Sequence, residues 1–330
     1  MNRETFISSL FENTLSGNFE ESALELFRFQ YHHNSIYQAF VNALGVNDQK
    51  VSTIQDIPFL PISFFKTHKV LSSEAPYVRT FESSATTGQV TSKHHVVDLK
   101  LYERAFLAHF IQRYGHPAQY EMLALLPSYL ERGNSSLVYM VDFLVKSSGG
   151  GSDAFFLDDF DGLYARWQSA LNHGKKVMLW GVTFALLDFA KQYPGSMSQT
   201  IIMETGGMKG RGREPIRQEV YDCLSEAWPN VDIHSEYGMT ELMSQAYAAE
   251  LDALQTPDWM RVWVRDIQDP LGPLQMQGRG SLHIMDLANV DSCAFIATQD
   301  LGEIAADGRF KVLGRLSHAE TRGCNLLYQP

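Results

Sequence analysis

The chain has 330 residues, of which 45% are hydrophobic and 20% charged, so it can bury a sizeable core and has the composition of a globular protein. Lys and Arg total 27 against 38 Asp and Glu, and the net charge of -11 argues against non-specific nucleic-acid binding, which needs many cations. No apolar stretch reaches the ~18–20 residues of a membrane span, and no signal-peptide pattern opens the sequence. The three cysteines lack metal-ligand spacing. Together these features predict a cytoplasmic protein.

The first elements along the chain are predicted to be helices over residues 2–47, because apolar residues such as Ala23, Leu24 and Phe27 recur at three- and four-residue intervals. From about residue 98, helices alternate with short apolar strands, which is typical of parallel βαβ units. The predicted helices lie at 98–115, 136–146, 161–173, 184–193 and 213–228, and the predicted strands at 121–127, 154–157, 175–182, 199–207 and 231–238.

After residue 259 the pattern changes to strands joined by turns, at 259–266, 280–287 and 293–300 and in a hairpin at 302–314. The sequence therefore predicts an α/β fold with a parallel βαβ core, a small antiparallel β-rich subdomain and a helical N-terminus. The expected divisions are a helical segment packed on the core at 1–75, the α/β core at 76–258, the β-rich subdomain at 259–316 and a tail at 317–330.

The stretch FESSATTGQVTSKHH at 81–95 is rich in small residues with hydroxyl groups. Consecutive backbone N–H groups in such a turn form a concavity for an anion, and a glycine lets the backbone turn without a Cβ penalty. The candidate residues are Ser83, Ser84, Thr86, Thr87 and Gly88, together with the charge of Lys93. The stretch lacks the Gly-Lys-Ser/Thr ending of a Walker A loop, so the residues alone fit a plain surface turn and a phosphate loop equally.

Five motifs in one order resemble those of the adenylate-forming superfamily, which includes acyl-CoA synthetases, luciferases and peptide-synthetase adenylation domains. They are SSATTGQVTSK at 83–93, TGG at 205–207, YGMTE at 237–241, TQDLGE at 298–303 and GRLSHAE at 314–320. They resemble the superfamily's phosphate loop, its adenine-side glycine segment, its Y-G-x-T-E motif, its ribose-binding aspartate and its G-R hinge segment. The resemblance implies activation of a carboxylic acid as its adenylate, with ATP and Mg²⁺ as cofactors.

The resemblance also implies roles for residues near the phosphates of ATP. Attack of a carboxylate on the α-phosphate requires that charge be neutralised on both sides of that phosphorus. Residues 83–88 with Lys93 would bind the β- and γ-phosphates, Thr240 would hydrogen-bond the α-phosphate, and Glu241 would hold Mg²⁺. Superfamily loops generally have glycine where this chain has Ala85; at a position with positive φ, alanine would cost about 1 kcal/mol and slow adenylation.

On the nucleoside side, the resemblance implies that Tyr237 stacks on adenine and that Asp300 accepts hydrogen bonds from both ribose hydroxyls, with Arg315 nearby. The implied site is completed by the backbone of Gly206, Gly207, Gly238 and Met239. Taken singly, these residues also fit structural roles: a core aromatic for Tyr237, a turn residue for Asp300 and a solvated hairpin residue for Arg315.

The tail differs from that of full-length acyl-CoA ligases, which continue past the G-R segment into a lid domain, whereas fifteen residues follow Arg315 here. We therefore expect no C-terminal lid. The Arg322-Gly323-Cys324 segment resembles that of the acyl-protein synthetases of bacterial luminescence systems, the fatty-acid-activating component of a fatty acid reductase complex. This implies a thioester on Cys324, whose deprotonation Arg322 would favour. The alternative is a cysteine packed in the tail.

The remaining cysteines and two adjacent histidines are predicted to have no chemical role. Cys223, on a predicted helix, and Cys293, in a predicted strand, are expected in the core. His94 and His95 are expected to be exposed to solvent.

Three functions remain open from the sequence. The first is an ATP- and Mg²⁺-dependent acyl-protein synthetase that activates a carboxylic acid, by resemblance a fatty acid, loads it on Cys324 and passes it to an acyl-accepting or acyl-reducing partner protein. The second is a ligase that passes the acyl group directly to coenzyme A, a carrier pantetheine or an amine. The third is a nucleotide-binding module without turnover. None involves nucleic acid or an integral membrane contact.

Overall fold

A computed structural model of the chain describes residues 1–12, 19–84, 90–126, 133–207 and 216–316. Its α-helices are α1 Arg3–Phe11, α2 Phe19–His33, α3 Ser35–Ala43, α4 Phe64–Thr67, α5 Leu99–Tyr114, α6 Ser136–Ser147, α7 Phe160–Asn172, α8 Thr183–Gln192 and α9 Arg217–Ala227. Its strands are β1 Leu60–Pro61, β2 Arg79–Glu82, β3 Lys93–Val96, β4 Tyr120–Leu125, β5 Lys176–Gly181, β6 Thr200–Glu204, β7 Asp232–Tyr237, β8 Ala246–Ala248, β9 Met260–Arg265, β10 Gly278–Asp286, β11 Phe295–Ile304 and β12 Phe310–Arg315.

A five-stranded sheet in the order β4-β5-β6-β7-β8 forms the α/β core. Strands β4 to β7 are parallel, and β8 returns antiparallel to β7. Side chains alternate between the two faces of a strand: Met178 and Trp180 pack in one buried cluster with α5 and α6, whereas Val177 and Leu179 pack in a second cluster with α7, α8 and α9. Both faces are therefore covered, as parallel sheets require, and the carboxyl ends of β5, β6 and β7 meet at one edge.

The second sheet contains β1, β11, β10 and β9 in that order, with β12 also paired to β11. All its pairs are antiparallel except β1 with β11. The hairpin of β11 and β12 requires glycine at Gly302, because a Cβ there would lie 2.7 Å from the Lys311 carbonyl oxygen. This hairpin brings Asp300 opposite Arg315.

The N-terminal helices are tied to the loop between β10 and β11. The buried Gln30 side chain donates to the carbonyls of Asn289 and Val290, and it accepts from the Ala294 backbone N–H. Arg3 forms an ion pair with Asp291 at 2.6 Å. These contacts fix the position of residues 289–294, which lie beside the candidate site.

A small hairpin of β2 and β3 flanks the stretch at 81–95. It leads into α5, where the Asp98 side chain accepts from the backbone N–H groups of Lys100 and Leu101 and so caps the helix N-terminus. Within the described ranges, no helix combines the length and the low polarity needed to cross a bilayer.

Most predicted elements are confirmed; among the elements and the described cysteines, three expectations are wrong. The predicted strand at 154–157 is absent: a short 3-10 helix, Ser152–Ala154, is followed by a single isolated bridge to β4. The predicted strands at 293–300 and 302–305 form the one strand β11. Cys223 is exposed on α9, because its side chain lies on the outer face of that helix, whereas Cys293 is buried as expected.

Candidate functional site

The segment after β6 forms one wall of the candidate site, at the edge where the parallel strands end. Gly206 and Gly207 both have positive φ, 74° and 95°, and among the described residues no atom beyond their chain neighbours lies within 4 Å of where their Cβ atoms would be. The buried Glu204 carboxylate accepts from the Gly206 backbone N–H at 2.8 Å and from the Thr183 hydroxyl. The glycine turn is thereby anchored to the start of α8.

Tyr237 at the end of β7 connects the two sheets. Its hydroxyl donates to Asp300 at 2.8 Å, and the other carboxylate oxygen of Asp300 lies 3.3 Å from Arg315 Nε. Asp300 is 5% exposed, whereas the Arg315 side chain is 82% exposed. Burial and the charge of Asp300 raise the pKa of Tyr237 well above its ordinary value, so the phenol is a neutral donor. Three motifs that are far apart in sequence meet here.

Side chains from β3 and from the β10–β11 loop hydrogen-bond the main chain of the turn after Tyr237. His94 Nδ1 lies 2.8 Å from the Thr240 carbonyl oxygen, and Asn289 Nδ2 donates to the Glu241 carbonyl at the same distance. The Glu241 side chain is buried, which raises its pKa, while a hydrogen bond from the Ser92 hydroxyl and the charge of Arg315 act in the opposite direction.

Ser92 also connects Glu241 to the base of the stretch at 81–95. Its backbone N–H donates to Ser83 Oγ at 2.9 Å, and its carbonyl accepts from the Ser83 backbone N–H at 3.1 Å. Glu241 therefore lies beside the adjoining ends of β2 and β3.

The glycine of the Y-G-M-T-E motif is required by a buried carboxyl group. A Cβ on Gly238 would lie 2.5 Å from Glu236 Oε1 and 3.2 Å from Gln245 Cγ. Burial raises the pKa of Glu236 to about 8, and the nearby Glu204 carboxylate adds to that rise. Sequence reasoning missed both glutamates. Glu204 had a signal, as a charged residue at the end of the apolar strand β6, whereas Glu236 lies among other polar residues of β7 and had none.

Comparison with known proteins identifies the family. Residues 9–329 match the sequence profile of the family described as acyl-protein synthetase, LuxE. The chain belongs to this family. The long-chain-fatty-acid–luciferin-component ligase of Vibrio harveyi is similar to this LuxE-family chain, with 23% identity over 326 residues that cover 91% of the chain and 84% of that protein.

Two solved structures are similar in fold to the LuxE-family chain. ATP-bound MatB from Rhodopseudomonas palustris has a TM-score of 0.53 and 14% identity, and the match covers 72% of this chain and 48% of that one. O-succinylbenzoate coenzyme A synthetase (MenE) from Bacillus subtilis, in complex with AMP, has a TM-score of 0.50 and 16% identity, with coverages of 74% and 50%. The chain thus spans about half the length of these structures, and the likeness concerns the fold.

The structure brings some of the sequence-predicted residues together and leaves others apart. Tyr237, Asp300 and Arg315 are in contact, and Glu241 is joined to Ser83 through Ser92. The side chain of Lys93 is 52% exposed and lies 3.8 Å from Glu82 across the hairpin. Ser84 is exposed, and Met239 Sδ lies 4.0 Å from the Tyr237 hydroxyl. The predictions for Ala85, Thr86, Thr87, Gly88, Arg322, Gly323 and Cys324 concern residues outside the described ranges.

The donor set of this LuxE-family site fits a nucleotide with a bound Mg²⁺. Mg²⁺ in such sites is typically held by one or two carboxylates and by substrate phosphates, and Glu241 is a buried carboxylate, while the nearby Arg315 pairs with Asp300 instead. Among the described residues no group of three or more His, Cys, Asp or Glu could hold a metal alone. In the same ranges, no atom beyond the chain neighbours approaches the Cβ positions of Gly206 and Gly207, which fits a flat ring beside this backbone.

Replacing Glu236 with glutamine is expected to stabilise the protein near neutral pH. Between the ordinary pKa of 4.5 and the raised value of about 8, the folded chain keeps a proton that the unfolded chain releases, so stability falls as pH rises through this window. Glutamine removes this dependence, and we expect the free energy of unfolding at pH 7 to rise by about 1–3 kcal/mol. Urea unfolding of both proteins between pH 5 and pH 8 tests this. A stability difference that does not grow with pH would contradict it.

Proposed function

We propose that this protein is an ATP- and Mg²⁺-dependent acyl-protein synthetase that activates a fatty acid as its adenylate and then carries the acyl group on Cys324. The observation that supports the first step is the contact of Tyr237, Asp300 and Arg315, because it assembles three of the superfamily's motifs at one sheet edge. The family assignment and the similarity to a long-chain-fatty-acid ligase support the fatty acid as substrate class.

In the proposed first step, a carboxylate oxygen of the acid attacks the α-phosphorus of ATP, and the bond to pyrophosphate breaks. Asp300 would accept from the ribose hydroxyls, Tyr237 and the turn at Gly206 and Gly207 would border the adenine, and Thr240 would donate to the α-phosphate. Glu241 would hold Mg²⁺, which offsets the charge that develops on the leaving pyrophosphate. Residues 83–88 would bind the outer phosphates, and Lys93 would have to leave Glu82 to join them.

In the proposed second step, the Cys324 thiolate attacks the acyl carbonyl and AMP leaves, so that a thioester forms. The other two cysteines are poorer candidates. Cys293 is fully buried, which raises the pKa of its thiol to about 12, and Cys223 lies on α9, behind the second face of the core sheet. Cys324 follows Arg315 by nine residues, a length that spans at most about 30 Å when extended, and Arg315 itself contacts Asp300.

The test of the first step is pyrophosphate release by the purified chain with Mg-ATP and a panel of fatty acids of increasing length, with aromatic acids for comparison. We expect release with at least one fatty acid and none without acid. Release that leads only to coenzyme A or amine products would favour the ligase with an external acceptor. ATP binding without pyrophosphate release for any acid would favour the binding module, with Ala85→Gly as the next variant.

The proposed product also implies a partner. A protein thioester is a stored acyl group, and it needs an acyl-accepting or acyl-reducing protein that can reach Cys324. Mixing the acylated chain with such a protein should transfer the label from one mass to the other.

A further inference from the structure

His94 is a buried polar residue that the sequence analysis placed in solvent, and this expectation is wrong. The residue is 1% exposed, and its ring packs edge-on against Phe65 at 5.9 Å between centroids. Burial lowers its pKa to about 4, so the imidazole is neutral near pH 7. A neutral buried histidine needs a hydrogen-bond acceptor for its N–H group. The identity of that acceptor indicates what the histidine does in the structure.

The partner of His94 is the main chain of the Y-G-M-T-E turn. Nδ1 lies 2.8 Å from the Thr240 carbonyl oxygen, so the neutral ring carries its proton on Nδ1 and donates to that carbonyl. The next carbonyl, of Glu241, accepts from Asn289 Nδ2 at 2.8 Å. Asn289 is 2% exposed and is itself fixed by donating to the Cys293 carbonyl at 2.9 Å.

The two donors come from different parts of the fold. His94 lies on β3, next to Lys93 and two residues after Ser92, and Asn289 lies in the loop that the N-terminal helices hold in place. Two consecutive carbonyls of one turn are therefore fixed from the β2–β3 hairpin and from the β10–β11 loop. Ser92, the residue before β3, lies near enough to the Glu241 side chain to lower its pKa, so this hairpin is close to the turn at both the main chain and the carboxylate.

We propose that His94 and Asn289 are positioning residues that hold the main chain of Thr240 and Glu241 so that the Glu241 carboxylate faces the base of the phosphate loop. This inference rests on the proposed function, in which Glu241 holds Mg²⁺ beside the phosphates. Neither side chain touches substrate. They act by fixing the turn before the nucleotide arrives, which lowers the cost of ordering it on binding.

Two variants of His94 separate the hydrogen bond from the packing. His94→Gln keeps an N–H donor, and His94→Phe keeps an aromatic ring but leaves the Thr240 carbonyl without a donor. His95→Ala is the matched control: it is the next residue on β3, and its Nδ1 pairs with the Thr80 hydroxyl on the outer side of the hairpin. Each variant is measured for thermal stability, for kcat and KM in pyrophosphate release, and for the Kd of ATP with and without Mg²⁺.

We expect His94→Phe to lower kcat by about tenfold or more, because the Thr240 carbonyl would lose its donor and the turn would no longer be held in one position. The factor by which Mg²⁺ lowers the Kd of ATP should decrease by a similar amount. His94→Gln should keep most of the wild-type kcat and of the Mg²⁺ effect, and His95→Ala should change neither quantity. Wild-type kcat and an unchanged Mg²⁺ effect in His94→Phe would overturn the inference. Losses of kcat that correlate with the thermal stability of the variants, and not with the presence of a donor at position 94, would also overturn the inference.

The proposed function can fail separately. If the wild-type chain released no pyrophosphate with any acid, the proposed reaction would be wrong, whereas the binding measurements would still decide the role of His94. Equal Mg²⁺ effects on ATP binding in the wild type and in His94→Phe would then overturn it, and a reduced effect restored by His94→Gln would support it.

Discussion

Cys324→Ser is expected to abolish the covalent acyl-protein completely while leaving acid-dependent pyrophosphate release intact. A serine hydroxyl has nearly the same shape but is not ionised near neutral pH, so it cannot replace a thiolate as the nucleophile. The adenylate would still form, because the residues proposed for the first step lie in other segments. The two steps should therefore separate cleanly.

The measurement is intact mass after incubation with Mg-ATP and the acid that supports pyrophosphate release, before and after treatment with hydroxylamine. The wild type should gain one acyl group that hydroxylamine removes, and Cys324→Ser should gain none. Cys223→Ser is the matched control, since Cys223 is the exposed cysteine of the described ranges and should acylate only by non-specific chemistry. Retention of the acyl group in Cys324→Ser and its loss in Cys223→Ser would place the acceptor on α9 instead.

The parallel core could be predicted from sequence because its signal is strong. Strands buried on both faces appear as continuous apolar runs between amphipathic helices, and β4, β5 and β6 follow this rule, whereas β7, with Asp232, His234 and Ser235, does not. The same rule fails at 154–157, where Phe155 and Phe156 are apolar because they pack beside the core. This segment is linked to the sheet at Ala124, by an isolated bridge with Phe155 and a hydrogen bond from the Phe156 backbone N–H. An apolar run indicates burial, and it does not tell whether a neighbouring strand continues alongside.

The candidate site was less accessible to sequence reasoning. The order of the motifs pointed to its parts, and hairpin geometry alone brings Asp300 opposite Arg315. The contact of Tyr237 with Asp300 depends on how the two sheets pack, which no local pattern encodes. His94 did have a signal: in a strand, residues two apart share a face, so the core residue Val96 predicts that His94 points inward. Because the neighbouring residue, His95, is also a histidine, the alternation of inward and outward residues was not visible in the sequence.

Asp300→Ala is expected to reduce kcat/KM for ATP by about 10²–10⁴-fold, the largest effect of any change in the described site. Hydrogen bonds to a charged group contribute ~1.5–3 kcal/mol each, and loss of two such bonds to ribose corresponds to about 3–6 kcal/mol, with a factor of ten for every ~1.4 kcal/mol. The change should appear mainly in KM for ATP, since both bonds exist in the ground state as well as the transition state.

The variant also disturbs the fold locally, and the experiment must separate this from catalysis. Removing the carboxylate leaves the buried Tyr237 hydroxyl without its acceptor, which costs roughly 1–3 kcal/mol of stability. Assays therefore belong well below the unfolding temperature of the variant. Tyr237→Phe is the matched variant, because it breaks the same bond without removing the proposed ribose ligand.

The two variants together distinguish a ribose ligand from a structural brace. If Asp300 only braces Tyr237, Asp300→Ala and Tyr237→Phe should affect KM for ATP equally. If Asp300 binds ribose, Asp300→Ala should raise KM for ATP far more than Tyr237→Phe does. The KM of Asp300→Asn, which keeps an acceptor oxygen, should lie between those of these two variants. Asp307→Asn, at the exposed turn of the same hairpin, removes a carboxylate whose ion-pair partner among the described residues is Arg309, and it should leave KM unchanged. An equal rise in Asp307→Asn would instead attribute the effect to the hairpin as a whole.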